Sequence, residues 1–191
     1  MRFALASLLV ALACGEPSTA PAPSVAVPEP APAMVAAVSR IDVHDDEYPT
    51  THPHRHYEGI RMRCTECTLG PVGAWCVTEP LDPRCPGEAA FPPPEAERGV
   101  SLFFAFTHGA SSYRDAAVGT TLSEGTDVTV VAINELETDG WAIGGSQLAP
   151  GTITLRIDAH GATTTATANG AVRRQYGAEV ATFENVSVAL P

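Results

Sequence analysis

Residues 151–158, Gly-Thr-Ile-Thr-Leu-Arg-Ile-Asp, alternate strictly between aliphatic and polar side chains. That period of two constrains the fold more than any other feature of the chain. Side chains on an extended strand point to opposite faces in turn, so Ile153, Leu155 and Ile157 share a buried face while Thr154, Arg156 and Asp158 face water. Val100–Thr107 is aromatic and apolar on both faces, as a central strand would be, and Asp127–Ile133 is β-branched at most positions. A turn at Ala159-His160-Gly161 leads into a Thr-rich strand over 162–168. Asn169-Gly170 then reads as the tip of a type I′ hairpin, whose central residues need positive φ. Residues 171–176 continue the meander and 180–190 supply the last strand. No window of about twelve residues carries the 3.6-residue period of an amphipathic helix, and 94–98 admits at most one short turn. The expectation is an all-β protein, with a small antiparallel β-sandwich or barrel-like domain over residues 99–191.

Residues 39–98 show few regular signals: they hold most of the histidines, four of the five cysteines and the Pro92-Pro93-Pro94 run. They read as an irregular region stapled by disulfides. The spacing is Cys64-x2-Cys67-x8-Cys76-x8-Cys85. A zinc site wants a second close pair, which Cys76 and Cys85 do not make. A redox Cys64-Thr-Glu-Cys67 wants a helix starting at the first cysteine, and Gly70-Pro71 interrupts one at once. Two disulfides, with three possible pairings, are therefore expected, as in an exported protein.

The chain starts with Arg2, an uncharged apolar run from Phe3 to Leu12, and Ala13-Cys14-Gly15. The run is too short for the roughly 20 residues of a membrane-spanning helix, so it reads as a signal peptide. The stretch Val10-Ala11-Leu12-Ala13-Cys14-Gly15 resembles the lipobox of bacterial lipoprotein precursors, with Ala11 where that family favours Leu. The resemblance covers residues 1–15. It implies cleavage after residue 13, a diacylglyceryl thioether on Cys14, membrane attachment through that lipid, and sorting to the outer membrane because residue 15 is Gly rather than Asp. Residues 14–38 then form a lipidated cysteine and a Pro/Ala-rich linker. Its prolines fix φ and remove donors, and at ~3.1 Å per residue the 22 residues from Gly15 to Ala36 reach at most about 70 Å when extended.

The formal net charge is −11, and all eleven basic residues are Arg. A balance of that sign repels phosphate backbones, and no basic cluster exceeds Arg173-Arg174, so nucleic acid is not an expected partner. An envelope protein or glycan is the class of partner that remains, and no cofactor is expected.

Two constellations have side chains capable of chemistry. Asp42-Val-His44-Asp45-Asp46-Glu47 followed by His52-Pro-His54-Arg-His56 offers imidazoles and carboxylates suited to Zn²⁺, Cu²⁺ or Ni²⁺, and in an extended chain His52, His54 and His56 fall on one side. The stretch lies beside the linker and contains Pro49 and Pro53, so a solvated lead-in is the plainer reading, and a periplasmic metal-binding protein using 44–56 is the alternative. His108-Gly-Ala-Ser111-Ser112-Tyr-Arg-Asp115 collects triad residue types but is not G-x-S-x-G, and reads as a polar loop. No Walker loop, Rossmann fingerprint or H-E-x-x-H is present. The leading expectation is a lipid-anchored, non-enzymatic envelope protein with a structural or partner-binding β ectodomain.

Overall fold

The computed structural model describes residues 37–44, 54–68, 72–83, 85, 99–136, 142–144, 148–176 and 179–191. The signal-like start, Cys14, the linker as far as residue 36, and His52 lie outside the described residues. Residues Ala36–Pro191 form one compact unit. It is almost wholly β: β1 Arg40–Val43, β2 Arg55–Glu58, β3 Arg61–Cys67, β4 Gly73–Thr78, β5 Gly99–Phe106, β6 Thr121–Ser123, β7 Val128–Leu136, β8 Ala142–Gly144, β9 Leu148–Ala149, β10 Thr154–His160, β11 Thr164–Arg174 and β12 Glu179–Leu190. Among the described residues one short helix, α1 (Ser111–Arg114), plants Tyr113 in the core against Phe106, with ring centroids 4.7 Å apart.

The strands make one mixed sheet in the order β6-β10-β11-β12-β3-β4-β5-β7-β8, with β1 beside β12, β2 beside β1, and β9 beside β11. Every pair of these strands is antiparallel except β12–β3, where Ser187, Val188 and Ala189 run parallel to Arg61, Met62 and Arg63. Within residues 99–191 every strand pairing is antiparallel, as expected; the one parallel contact is to β3, outside that range, and it joins two antiparallel halves. The sheet is not closed into a barrel, since β6 and β8 end the order without pairing to each other. It does curve back on itself. The Tyr57 hydroxyl on β2 donates to Glu135 on β7 across 2.6 Å, although several strands separate them along the sheet.

The inner face carries the main core, which includes Ile41, Met62, Leu102, Phe104, Ile133, Leu155, Phe183 and Val188. Ile153, Leu155 and Ile157 are fully buried and Arg156 is exposed, as the alternation demands. A second, smaller cluster lies on the opposite face of β4 and β5: Cys67, Trp75, Val77, Leu81 and Phe103. All six residues of β4 are consequently buried, and β5 is buried along nearly its whole length.

Two expectations change. Residues 39–98 are not an irregular lead-in, because β1 to β4 lie there and β3–β4 sit in the middle of the sheet. Burial on both faces erases the alternation that marks a half-exposed strand, and Gly-Ala-Trp-Cys-Val-Thr shows none. Asn169-Gly170 is not a hairpin tip. Both residues lie inside β11, where the ladder to β12 shifts between Ala168 and Gly170. Only Gly170 has positive φ (116°), whereas a type I′ turn needs it at both positions. The pair makes a bulge instead. The Asn169 side-chain oxygen accepts the backbone N–H of Asn185, itself at φ 50° on the facing strand.

Replacing Leu155 by Ala should cost about 2–5 kcal/mol through lost burial and the cavity left behind, whereas Arg156→Ala should stay within about 0.5–1 kcal/mol. Thermal unfolding of the two variants checks this, and equal effects would refute the facing of β10. A Cβ on Gly170 would lie 2.1 Å from the Thr152 carbonyl oxygen. Gly170→Ala should therefore lose at least about 1–3 kcal/mol by the same measurement.

Candidate functional site

Alternation along β1 and β2 sorts their side chains cleanly between two faces. Ile41 and Val43 point into the core, while Arg40, Asp42 and His44 point outward. The antiparallel register sets Arg40 opposite Glu58 and Asp42 opposite His56. Directly opposed side chains are near neighbours on a sheet face, so the outer face of this ribbon gathers Arg40, Asp42, His44, His54, His56 and Glu58.

Their contacts form a chain. Arg40 Nε lies 2.7 Å from Asp42 Oδ2 in an ion pair, and Asp42 Oδ1 lies 2.5 Å from His56 Nδ1. His56 Nε2 lies 2.9 Å from Glu58 Oε1. His54 Nε2 stands 4.0 Å from Asp42 Oδ1, and the His54 ring meets His44 edge-on with centroids 5.9 Å apart. Partial burial raises the cost of charge on Asp42, yet hydrogen bonds from His56 and Arg40 outweigh it and hold the carboxyl below its ordinary 3.8. The hydrogen bond to Asp42, and next the one to Glu58, raise His56 above its ordinary 6.5. With an oxygen acceptor facing each ring nitrogen, the protonated imidazole satisfies both.

The other face of β2 is fastened to the far side of the sheet. Glu135 on β7 is only 3% exposed. Its Oε1 accepts the Tyr57 hydroxyl and lies 3.2 Å from Arg55 Nε. A buried carboxylate needs such partners, since an unpaired one costs several kcal/mol. These contacts fix β2, and with it the position of His56.

The cysteines pair as Cys64–Cys76 and Cys67–Cys85. Cys64 and Cys76 are register partners on the inner face. The second bridge holds Cys85 against the outer cluster, over Trp75 and Phe103. The triad-like residues are spent on local structure: the Ser111 hydroxyl donates to the His108 carbonyl (2.6 Å) and the Ser112 hydroxyl accepts the His108 N–H (3.2 Å). A shallow groove of about 270 Å³ is bounded by Glu124, Val130, Leu148 and Pro150. The Glu124 carboxylate there already accepts the Ile153 N–H at 3.1 Å.

Of the histidines singled out by sequence, the structure brings His44, His54 and His56 together. Sequence reasoning missed Arg40 and Glu58, although their placement two residues from Asp42 and His56 on each strand was a usable signal. It also missed Glu135, which is distant in the chain. Among the described residues no three His, Cys, Asp or Glu side chains form a ready-made metal site. Compared with known protein families, characterised proteins and solved structures, the chain matches none.

Tyr57→Phe leaves Glu135 buried with one donor fewer, and should destabilise the fold by about 1–3 kcal/mol in denaturant unfolding. No change in midpoint would show that the contact between β2 and β7 contributes nothing.

Proposed function

We propose that this chain is an exported protein, attached to an outer membrane through lipid on Cys14, whose β domain is a non-catalytic ectodomain that supports or binds a partner in the envelope. The observation that carries this reading is the oxidation of all four domain cysteines in two bridges that are built into the two hydrophobic clusters. Such bridges persist in oxidising compartments and are rare where thiols are kept reduced. The signal-like start and the lipobox-like Ala13-Cys14-Gly15 support the same destination. Among the described residues no helix is long and apolar enough to cross a membrane, and a lipid supplies attachment by another route. Two or more acyl chains hold a protein firmly, whereas one holds it marginally. The linker between Cys14 and β1 lets the domain stand clear of the bilayer surface.

Fractionating cells that express the parent chain and Cys14→Ser tests the proposal. The parent should appear in the membrane fraction in mature form, and the variant should lose both maturation and membrane association. Normal processing and membrane retention of the variant would overturn the anchor. Thiol titration of the denatured, unreduced parent protein should find no free thiol, since Cys14 is alkylated and the other four cysteines are bridged. Replacing Cys67 and Cys85 together by Ser should cost about 2–5 kcal/mol, read as a lowered unfolding midpoint.

A further inference from the structure

We propose that the outer face of the β1–β2 ribbon binds one divalent transition ion of the zinc type through Asp42 Oδ1, His56 Nδ1 and His54 Nε2. Three observations carry it, and none depends on the lipid anchor.

The first is convergence on a single oxygen. Asp42 Oδ1 has His56 Nδ1 at 2.5 Å and His54 Nε2 at 4.0 Å. Tetrahedral zinc takes such ligands at about 2.0–2.1 Å, which sets neighbouring donor atoms roughly 3.3 Å apart. One gap therefore has to widen, and the other to narrow, by less than about 1 Å. The His54 side chain, 66% exposed, has the torsional freedom to close the wider gap. As the ion enters, the hydrogen between Oδ1 and Nδ1 leaves to solvent as a proton, Nδ1 and Oδ1 each give a lone pair to the metal, and no oxidation state changes.

The second is that the remaining atom of each inner ligand is already held. Glu58 Oε1 faces His56 Nε2 at 2.9 Å, so the hydrogen stays on Nε2 and Nδ1 is presented to the ion. Metal-binding imidazoles are commonly oriented by a carboxylate on the other ring nitrogen. Arg40 Nε holds Asp42 Oδ2 at 2.7 Å and turns Oδ1 toward the histidines. Arg40 and Glu58 are thus positioning residues.

The third is a rigid scaffold with an open approach. β1 is hydrogen-bonded on both sides, to β12 and to β2, and Ile41 and Val43 are buried beneath it. The contacts of Arg55 and Tyr57 with Glu135 fasten β2 from below. By contrast, the side chains of His54 and His56 are 66% and 43% exposed, so an ion reaches them directly from solvent. Two imidazoles and one carboxylate select Zn²⁺, Ni²⁺ or Cu²⁺ over Mg²⁺ and Ca²⁺, which prefer oxygen ligands.

The test is calorimetric titration of Zn²⁺ into the chelator-treated full chain, alongside circular dichroism to confirm folding. The parent should bind one Zn²⁺ per chain and none of the added Mg²⁺. Glu58→Gln, which keeps size and fold, should weaken binding by about 10- to 100-fold, and His54→Ala and His56→Ala should weaken it further. His160→Ala on β10, whose ring nitrogens face Thr164 and the Ala116 carbonyl, should bind as the parent does. Undiminished affinity in His54→Ala and His56→Ala would place the ion elsewhere and overturn the assignment. So would an unchanged Glu58→Gln, or a parent that binds no Zn²⁺.

Discussion

One edge of β12 carries two partners in succession: β1 pairs antiparallel beside residues 181–184 and β3 pairs parallel beside residues 187–189. The rest of the domain depends on that shared edge. On one side of it lie β11, β10 and β6, and on the other β3, β4, β5, β7 and β8. Without the parallel contact the chain would hold two separate antiparallel sheets. With it, the inner faces of both halves contribute to a single core, from Ile41 and Phe183 to Phe104 and Ile133. A parallel pair needs a long crossover between its strands, and nearly the whole length of the chain between β3 and β12 supplies it.

The curvature that follows brings the β1–β2 ribbon over β7, where Glu135 waits for Tyr57 and Arg55. A buried carboxylate is an expensive thing to place in a core, and its partners come from a strand that would otherwise be held by β1 alone among the described residues. The same ribbon shows its opposite face to solvent, and the alternation that commits Tyr57 inward commits His56 outward. The buried contact and the exposed cluster of histidines and carboxylates are therefore consequences of one register.

The disulfides act at the other end of the size scale. Cys64–Cys76 ties two adjacent strands at facing positions, while Cys67–Cys85 draws the segment after β4 over Trp75 and Phe103. Gly73 permits the close packing there, since a Cβ would meet the Phe103 ring at 2.4 Å. Closing loops in this way restricts the unfolded chain as well as covering apolar surface.

Alternation over 151–158 determined the facing of β10, and the two-sided apolar run at 100–107 determined that β5 is central, because both are local consequences of a two-residue period. The cysteine count determined that bridges form, but pairing was left open, since connectivity depends on which strands meet. Tertiary structure alone decided that 39–98 joins the sheet; its central strand β4 is buried on both faces and so loses its pattern. It also decided that Asn169-Gly170 bulges within β11: with β10 on one side and β12 on the other, continuing both ladders outweighs a local turn. The histidines were legible as a cluster of residue types. Their assembly around Asp42 was not, because the β1–β2 register sets Asp42 opposite His56 and the support beneath β2 comes from Glu135, 78 residues from Tyr57. Spacing in sequence carries no information about such a contact.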